Sequence, residues 1–132
     1  MKVLILIFTG LLLGGCAVVP SMKSVDGVYE QKEGEDTYRA ALLENGIAEG
    51  YRNGKKIGRE GKWKLTKEGE IHVTYSDGEV SIYRINKDCS ITFIAAIYLD
   101  GERISAPKEA QVNFKKSNNL SPSPFHPPNH LR

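Results

Sequence analysis

Two-residue turn signals constrain this chain more than any other feature. Asn45-Gly46, Asn53-Gly54, Asp77-Gly78 and Asp100-Gly101 all fall between apolar runs. Such pairs favour hairpins because Asn, Asp and Gly tolerate positive φ. Glu68-Gly69 and Asp88-Cys89 occupy equivalent places. Turns therefore recur through residues 26–116 at a spacing of roughly 8–15 residues, which suits an antiparallel sandwich or barrel. The helix–strand alternation that a parallel sheet needs is absent. Between the turns, Ile71, Val73 and Tyr75 alternate with His72, Thr74 and Ser76, and Trp63 and Leu65 alternate with Lys62, Lys64 and Thr66. Each run reads as a half-buried strand. Ile91, Phe93, Ala95, Ile97 and Leu99 form one face of a strand whose other face is also apolar, so that strand is expected to be central or to line an interior. Residues 37–44 would also suit a helix with a glycine C-cap. They are read as a strand because Asn45-Gly46 leads directly into Ile47–Tyr51. Ser105–Lys108 is expected to start a single helical turn before a last strand over residues 110–115.

About eight strands result. An open sheet of that size would leave long edges, and closure removes them. The fold class expected is therefore all-β, a small antiparallel meander closed as an up-and-down barrel or flattened into a sandwich. Tyr29, Trp63, Tyr83, Phe93 and Phe114 are its expected core. The chain has 132 residues, 18 Lys plus Arg and 16 Asp plus Glu, for a net charge of +2. That length is room for one small domain, and that charge gives no reason to expect a nucleic-acid partner. A monomer is expected.

The N-terminus reads as an address. Met1-Lys2 is followed by an apolar run, Val3–Leu13, interrupted only by Thr9 and Gly10. Spanning a bilayer takes about 20 apolar residues, whereas a signal-peptide apolar region takes about 7–15. Leu13-Gly14-Gly15-Cys16 then resembles the lipobox of bacterial lipoproteins, an apolar residue and two small ones before a cysteine. The resemblance implies a cleaved signal peptide over residues 1–15, a diacylglyceryl group on the Cys16 thiol and a lipidated tether over residues 16–25. Two or more acyl chains anchor stably where one does not. Ala17, rather than Asp, follows the cysteine, which resembles lipoproteins sent on to the outer membrane instead of retained at the inner one. Residues 117–132 hold four Pro, three Asn and three Ser and are expected to be a disordered tail.

Gly27-Val28-Tyr29, Leu43-Glu44-Asn45-Gly46, Gly61-Lys62-Trp63 and Ile82-Tyr83-Arg84-Ile85 together resemble small β-barrel bacterial lipoproteins. The nearest comparison is the N-terminal barrel of the NlpE-like copper-resistance and surface-sensing lipoproteins. That family carries a Cys-x-x-Cys pair in its barrel and this chain has only Cys89 there, so copper handling and redox sensing do not carry over. Residues 49–58 also resemble one unit of a MORN-type hairpin repeat. No second copy stands in register, and one hairpin cannot bury its own face.

Arg52, Lys55, Lys56, Arg59, Lys62, Lys64 and Lys67 stand against a single acid, Glu60, within residues 52–67. One reading is contact with an anionic partner, whether acidic lipid, lipopolysaccharide or an acidic envelope protein, at about 1 kcal/mol per basic residue. The other is a solvated hairpin whose lysines discourage edge pairing. Cys89 sits where a turn would favour glycine, and once Cys16 is acylated it has no partner in its own chain. His72 lies on a polar strand face, and His126 and His130 lie in the tail, so no metal site or cofactor is expected. No nucleophile, base and orienting group stand in a recognisable context, so no enzyme activity is expected. The function expected is a membrane-anchored, non-enzymatic envelope binding or structural module. The alternative is a lipocalin-like carrier of a small apolar ligand inside the barrel.

Overall fold

The computed structural model describes residues 21–117, so the expected signal peptide, Cys16 and residues 118–132 of the expected tail lie outside it. Ser21 opens a single helical turn, α1 (Met22–Val25). Its side chain accepts from the Ser24 amide while the Ser24 side chain accepts from the Ser21 amide, a reciprocal capping box. Residues 22–25, assigned from sequence to the tether, are thus folded, and Val25 is buried. Nine strands follow: β1 (Gly27–Glu33), β2 (Asp36–Leu42), β3 (Ile47–Arg52), β4 (Lys55–Leu65), β5 (Glu70–Tyr75), β6 (Val80–Ile85), β7 (Ile91–Ile97), β8 (Arg103–Ser105) and β9 (Asn113–Ser117). Every signalled turn is present. The expected helical turn occurs as a 3₁₀ turn at Lys108–Ala110, and the last strand begins at Asn113 rather than at residue 110.

Strands β1 to β7 pair with their sequence neighbours, all antiparallel. Strand β9 closes the ring by pairing with β1 (Val28 opposite Ser117, Tyr29 opposite Lys116) and with β7 (Ile91 opposite Phe114). The result is the expected closed eight-stranded antiparallel barrel, with β8 as a short extra strand beside the second half of β7. Strand β7 has partners on both edges, as its two apolar faces suggested. Its alternation changes phase midway, because Phe93 stands opposite Tyr83 while Ala95 stands opposite Ile82, leaving Ile94 extra. Leu99 lies beyond β7, in the turn that leads to β8, and is 68% exposed.

One end of the barrel is filled. Val25, Tyr29, Leu42, Trp63 and Ile71 pack together there. The Tyr29 hydroxyl donates to the Val25 carbonyl, and the Trp63 indole N–H donates to the Leu43 carbonyl at 2.8 Å. Lys116 closes the same end, donating to the Ser24 carbonyl at 2.9 Å. Asn86 ties the β6–β7 turn to β9 through the side chains of Ser90, Thr92 and Asn113. Of the expected core, Tyr29 and Trp63 are 2% and 3% exposed, whereas Tyr83, Phe93 and Phe114 are only half-buried. Those three sit toward the other end, where Tyr83 meets Phe93 and Phe114 edge-on at centroid distances of 5.7 and 6.5 Å.

Candidate functional site

The basic residues of 52–67 divide into two groups. Arg52 and Lys55 flank the Asn53-Gly54 turn at the end of the barrel opposite α1, and Arg52 is paired with Asp36 at 2.8 Å. Lys56 lies between Glu49 and Glu60 at 3.3 and 3.1 Å. Arg59 stacks over the Tyr75 ring at 4.2 Å and pairs with both Asp77 and Glu79. Except for Glu60, these carboxylates come from β2, β3 and the β5–β6 turn, so the local sequence did not reveal them. The Arg52 and Asn53 side chains hold the Asp36 carboxyl below the usual carboxylate range, chiefly through the Asn53 hydrogen bond. Among the described residues, Lys55, Lys62, Lys64 and Lys67 have no acid partner. Lys62 and Lys64 alternate with Gly61 and Trp63, whose positions face inward, so both point out from β4. Lys67 follows in the β4–β5 turn, at the same end as α1. The seven bases are therefore not one patch: Arg52, Lys56 and Arg59 are paired with carboxylates toward the far end, where Lys55 is free, and three more free lysines descend toward the α1 end.

The wall of the barrel is breached at β3–β4. Ala48 pairs with Gly61 and Gly50 with Ile57, so Gly58, Arg59 and Glu60 together face only Glu49. Gly58 has φ 69°, a value that a side chain would strain, and Gly61 has no room for one. A Cβ there would lie 2.8 Å from Val73 Cγ1 and 3.1 Å from the Thr74 carbonyl. Two glycines inside one strand are the sequence mark of a bulge. Behind the breach lies a cavity of about 240 Å³, lined on the inside by Ala40, Leu42, Ala48, Val73, Tyr83 and Ile91, with Arg59 and Tyr75 at its rim. A second cavity of about 300 Å³ opens between Tyr38, Phe93, Val112 and Phe114, and Tyr83 borders both. Burial, then the neighbouring Tyr75, pushes the Tyr83 hydroxyl pKa up. On the wall, burial and the hydrogen bond to Glu49 push Tyr51 up to about 12.

Cys89 has φ 72°, so it does occupy a glycine-type turn position. It is disulfide-bonded. His72 contacts Glu70 at 3.1 Å on the outer face. Among the described residues, no group of three His, Cys, Asp or Glu side chains is placed to hold a metal ion, and no helix is long and apolar enough to cross a membrane. Comparison with protein-family models, with curated proteins and with solved structures finds no match.

Proposed function

We propose that this chain is a bacterial envelope lipoprotein, acylated at Cys16, whose barrel is a non-enzymatic binding module held against an anionic lipid surface by Lys62, Lys64 and Lys67. The observation that carries the reading is the asymmetry of charge compensation. On the far side Arg52, Lys56 and Arg59 each have carboxylates within 4 Å and only Lys55 has none, while all three lysines nearest the α1 end have none. Uncompensated charge beside an anchor point adds to the anchor. Three lysines at about 1 kcal/mol each near an anionic leaflet give about 3 kcal/mol, or a little over 100-fold in partitioning. Ala17 after the lipobox favours the outer membrane, with the barrel facing the periplasm.

Sedimentation with vesicles tests the electrostatic part apart from the acyl chains. Full chain carrying Cys16→Ser is mixed with phosphatidylglycerol-containing or pure phosphatidylcholine vesicles. Binding is expected only to the anionic vesicles, falling as salt rises and falling at least 30-fold in a Lys62→Gln, Lys64→Gln, Lys67→Gln triple variant. Equal binding by the triple variant overturns the assignment of that face. Loss on Lys55→Gln instead would move the contact to the opposite end.

A further inference from the structure

We infer that the notch in the barrel wall between β1 and the segment joining β8 to β9 is a ligand site for a small uncharged aromatic carboxamide, whose ring lies among Tyr38, Phe93 and Phe114 and whose polar edge meets Gln31. The inference goes beyond the envelope-module reading and depends on neither the lipid anchor nor the free lysines.

The strand register supplies access. Strand β9 closes the barrel along only part of its height. It pairs with β1 at Val28, Tyr29 and Glu30, and with β7 at Ile91 and Thr92. Beyond these pairs, Gln31, Lys32 and Glu33 keep β2 on one edge and, among the described residues, have no strand on the other. A barrel paired along its whole height would have no such opening. Residues 106–112 form the opposite lip. They are held to β7 because the Ala106 amide donates to the Ile94 carbonyl at 2.8 Å and the Phe93 amide to the Val112 carbonyl at 2.9 Å.

The walls select a ring. The notch opens on the cavity of about 300 Å³ lined by Tyr38, Tyr83, Phe93, Val112 and Phe114. That volume exceeds the roughly 150 Å³ that accepts benzene in an apolar core, so it holds one ring and a small substituent. Tyr38 stands opposite Gln31 and shares its row with Ala40 and Leu42 of the interior, so its ring faces inward. Tyr83 already meets Phe93 and Phe114 edge-on. A further ring, with centroids roughly 4.5–7 Å away, extends the same geometry. An aliphatic group of equal size is buried there without the ring–ring attraction, a difference of about two- to tenfold in affinity.

Polarity selects the substituent. Gln31 follows Tyr29 by two residues on β1, so it points into the barrel, and it is half-buried. Its amide makes no hydrogen bond among the described residues, and it is not among those with a further partner. No fully buried side-chain polar atom lacks a partner, so the amide reaches open space at the notch. It offers a donor and an acceptor together, the complement of a carboxamide. The charged side chain at this cavity is Glu33, exposed at the rim. It repels a carboxylate, and an ammonium seated among the rings would leave water without a buried counter-charge.

Benzamide, toluene, cyclohexanecarboxamide, benzoate and benzylamine separate ring, amide and charge. Each is titrated into isotopically labelled full chain carrying Cys16→Ser, which removes the acylation site and with it the need for detergent. The Val112 methyl resonances report on the cavity, and those of Val25 report on the filled end. Benzamide is expected to shift Val112 saturably and to leave Val25 in place. Toluene and cyclohexanecarboxamide are expected to bind about two- to tenfold more weakly, the one lacking hydrogen bonds and the other the ring. Benzoate and benzylamine should be at least about tenfold weaker. Gln31→Met, which keeps the length and removes the amide, is expected to bring benzamide to the level of toluene. Val112→Trp is expected to abolish binding by filling the space. The inference is overturned if benzamide gives no saturable shift, or if a charged probe or cyclohexanecarboxamide matches it. Unchanged benzamide binding by Gln31→Met would overturn it too.

Discussion

Replacing Trp63 by phenylalanine should cost about 2 kcal/mol, and the structure divides that cost into two parts. The indole N–H donates to the Leu43 carbonyl at 2.8 Å, stitching β4 to the β2–β3 turn inside the filled end. That carbonyl also accepts from the Gly46 amide at 2.9 Å, so losing the indole does not orphan it. The hydrogen-bond loss is then an ordinary net value of about 1 kcal/mol rather than the larger penalty for a stranded acceptor. The missing ring atoms leave a void of a few tens of Å³, worth about 1 kcal/mol at roughly 24 cal/mol per Å³. Trp63→Ala should cost about 3–5 kcal/mol. Phe93→Ala should cost less than Trp63→Ala, because Phe93 lies half-buried beside a cavity. Trp63 is the only tryptophan, so urea unfolding must be followed by circular dichroism rather than by its fluorescence. A 2 kcal/mol loss corresponds to roughly 10 °C in Tm for a domain of this size. A loss below about 0.5 kcal/mol for Trp63→Phe would refute the view that this residue organises the filled end. So would Phe93→Ala proving as costly as Trp63→Ala.

Other substitutions probe separate parts of the barrel. Gly61→Ala should destabilise by about 2 kcal/mol or more, since its methyl would press on Val73 and the Thr74 carbonyl; an unchanged Tm would show that β4 and β5 are farther apart there. Cys89→Gly, made in a Cys16→Ser background so that no disulfide is at stake, should raise stability by about 0.5 kcal/mol. It relieves a left-handed φ of 72° against the entropy cost of glycine, and a clear fall in Tm would count against it. The Glu70 carboxylate accepts from Arg103 and, next, contacts His72, and these hold its pKa below the usual value. A depressed carboxylate stabilises above its unfolded pKa, near 4.3, and the stabilisation is lost as pH falls through the folded value. Glu70→Gln should therefore cost about 0.5 kcal/mol at pH 7, as suits a partly exposed pair, and nothing at pH 2. The same loss at both pH values would exclude an ionic origin.

The sequence made the turns, the strand count and the closure legible, because Asn-Gly and Asp-Gly signals and alternation are local. The filled end was partly legible through Tyr29 and Trp63. Helix α1 was missed because four residues carry no periodicity, although Ser21 and Ser24 did hold a cap signal. Pairings across the barrel were illegible for a physical reason. Arg59 meets Asp77 and Glu79 only after β4 and β5 have been set in register, and Arg103 meets Glu70 only after the four strands β5 to β8 have been. The seven bases thus read as one patch in sequence and separate into compensated and free groups in three dimensions. The breach was encoded in Gly58 and Gly61, which stand three residues apart within a single strand.

The account turns on the state of Cys16. The chain contains two cysteines, and one sulfur cannot be both a thioether to lipid and half of a disulfide with Cys89. Intact mass and membrane fractionation of the expressed full-length chain, beside its Cys16→Ser variant, separate the two. The expected result is a chain cleaved before Cys16 that carries diacylglyceryl mass and sediments with membranes, while the variant does neither. An unmodified chain in the soluble fraction, with Cys16 and Cys89 recovered in one disulfide-linked peptide, would contradict lipidation and leave a secreted barrel closed by that bond.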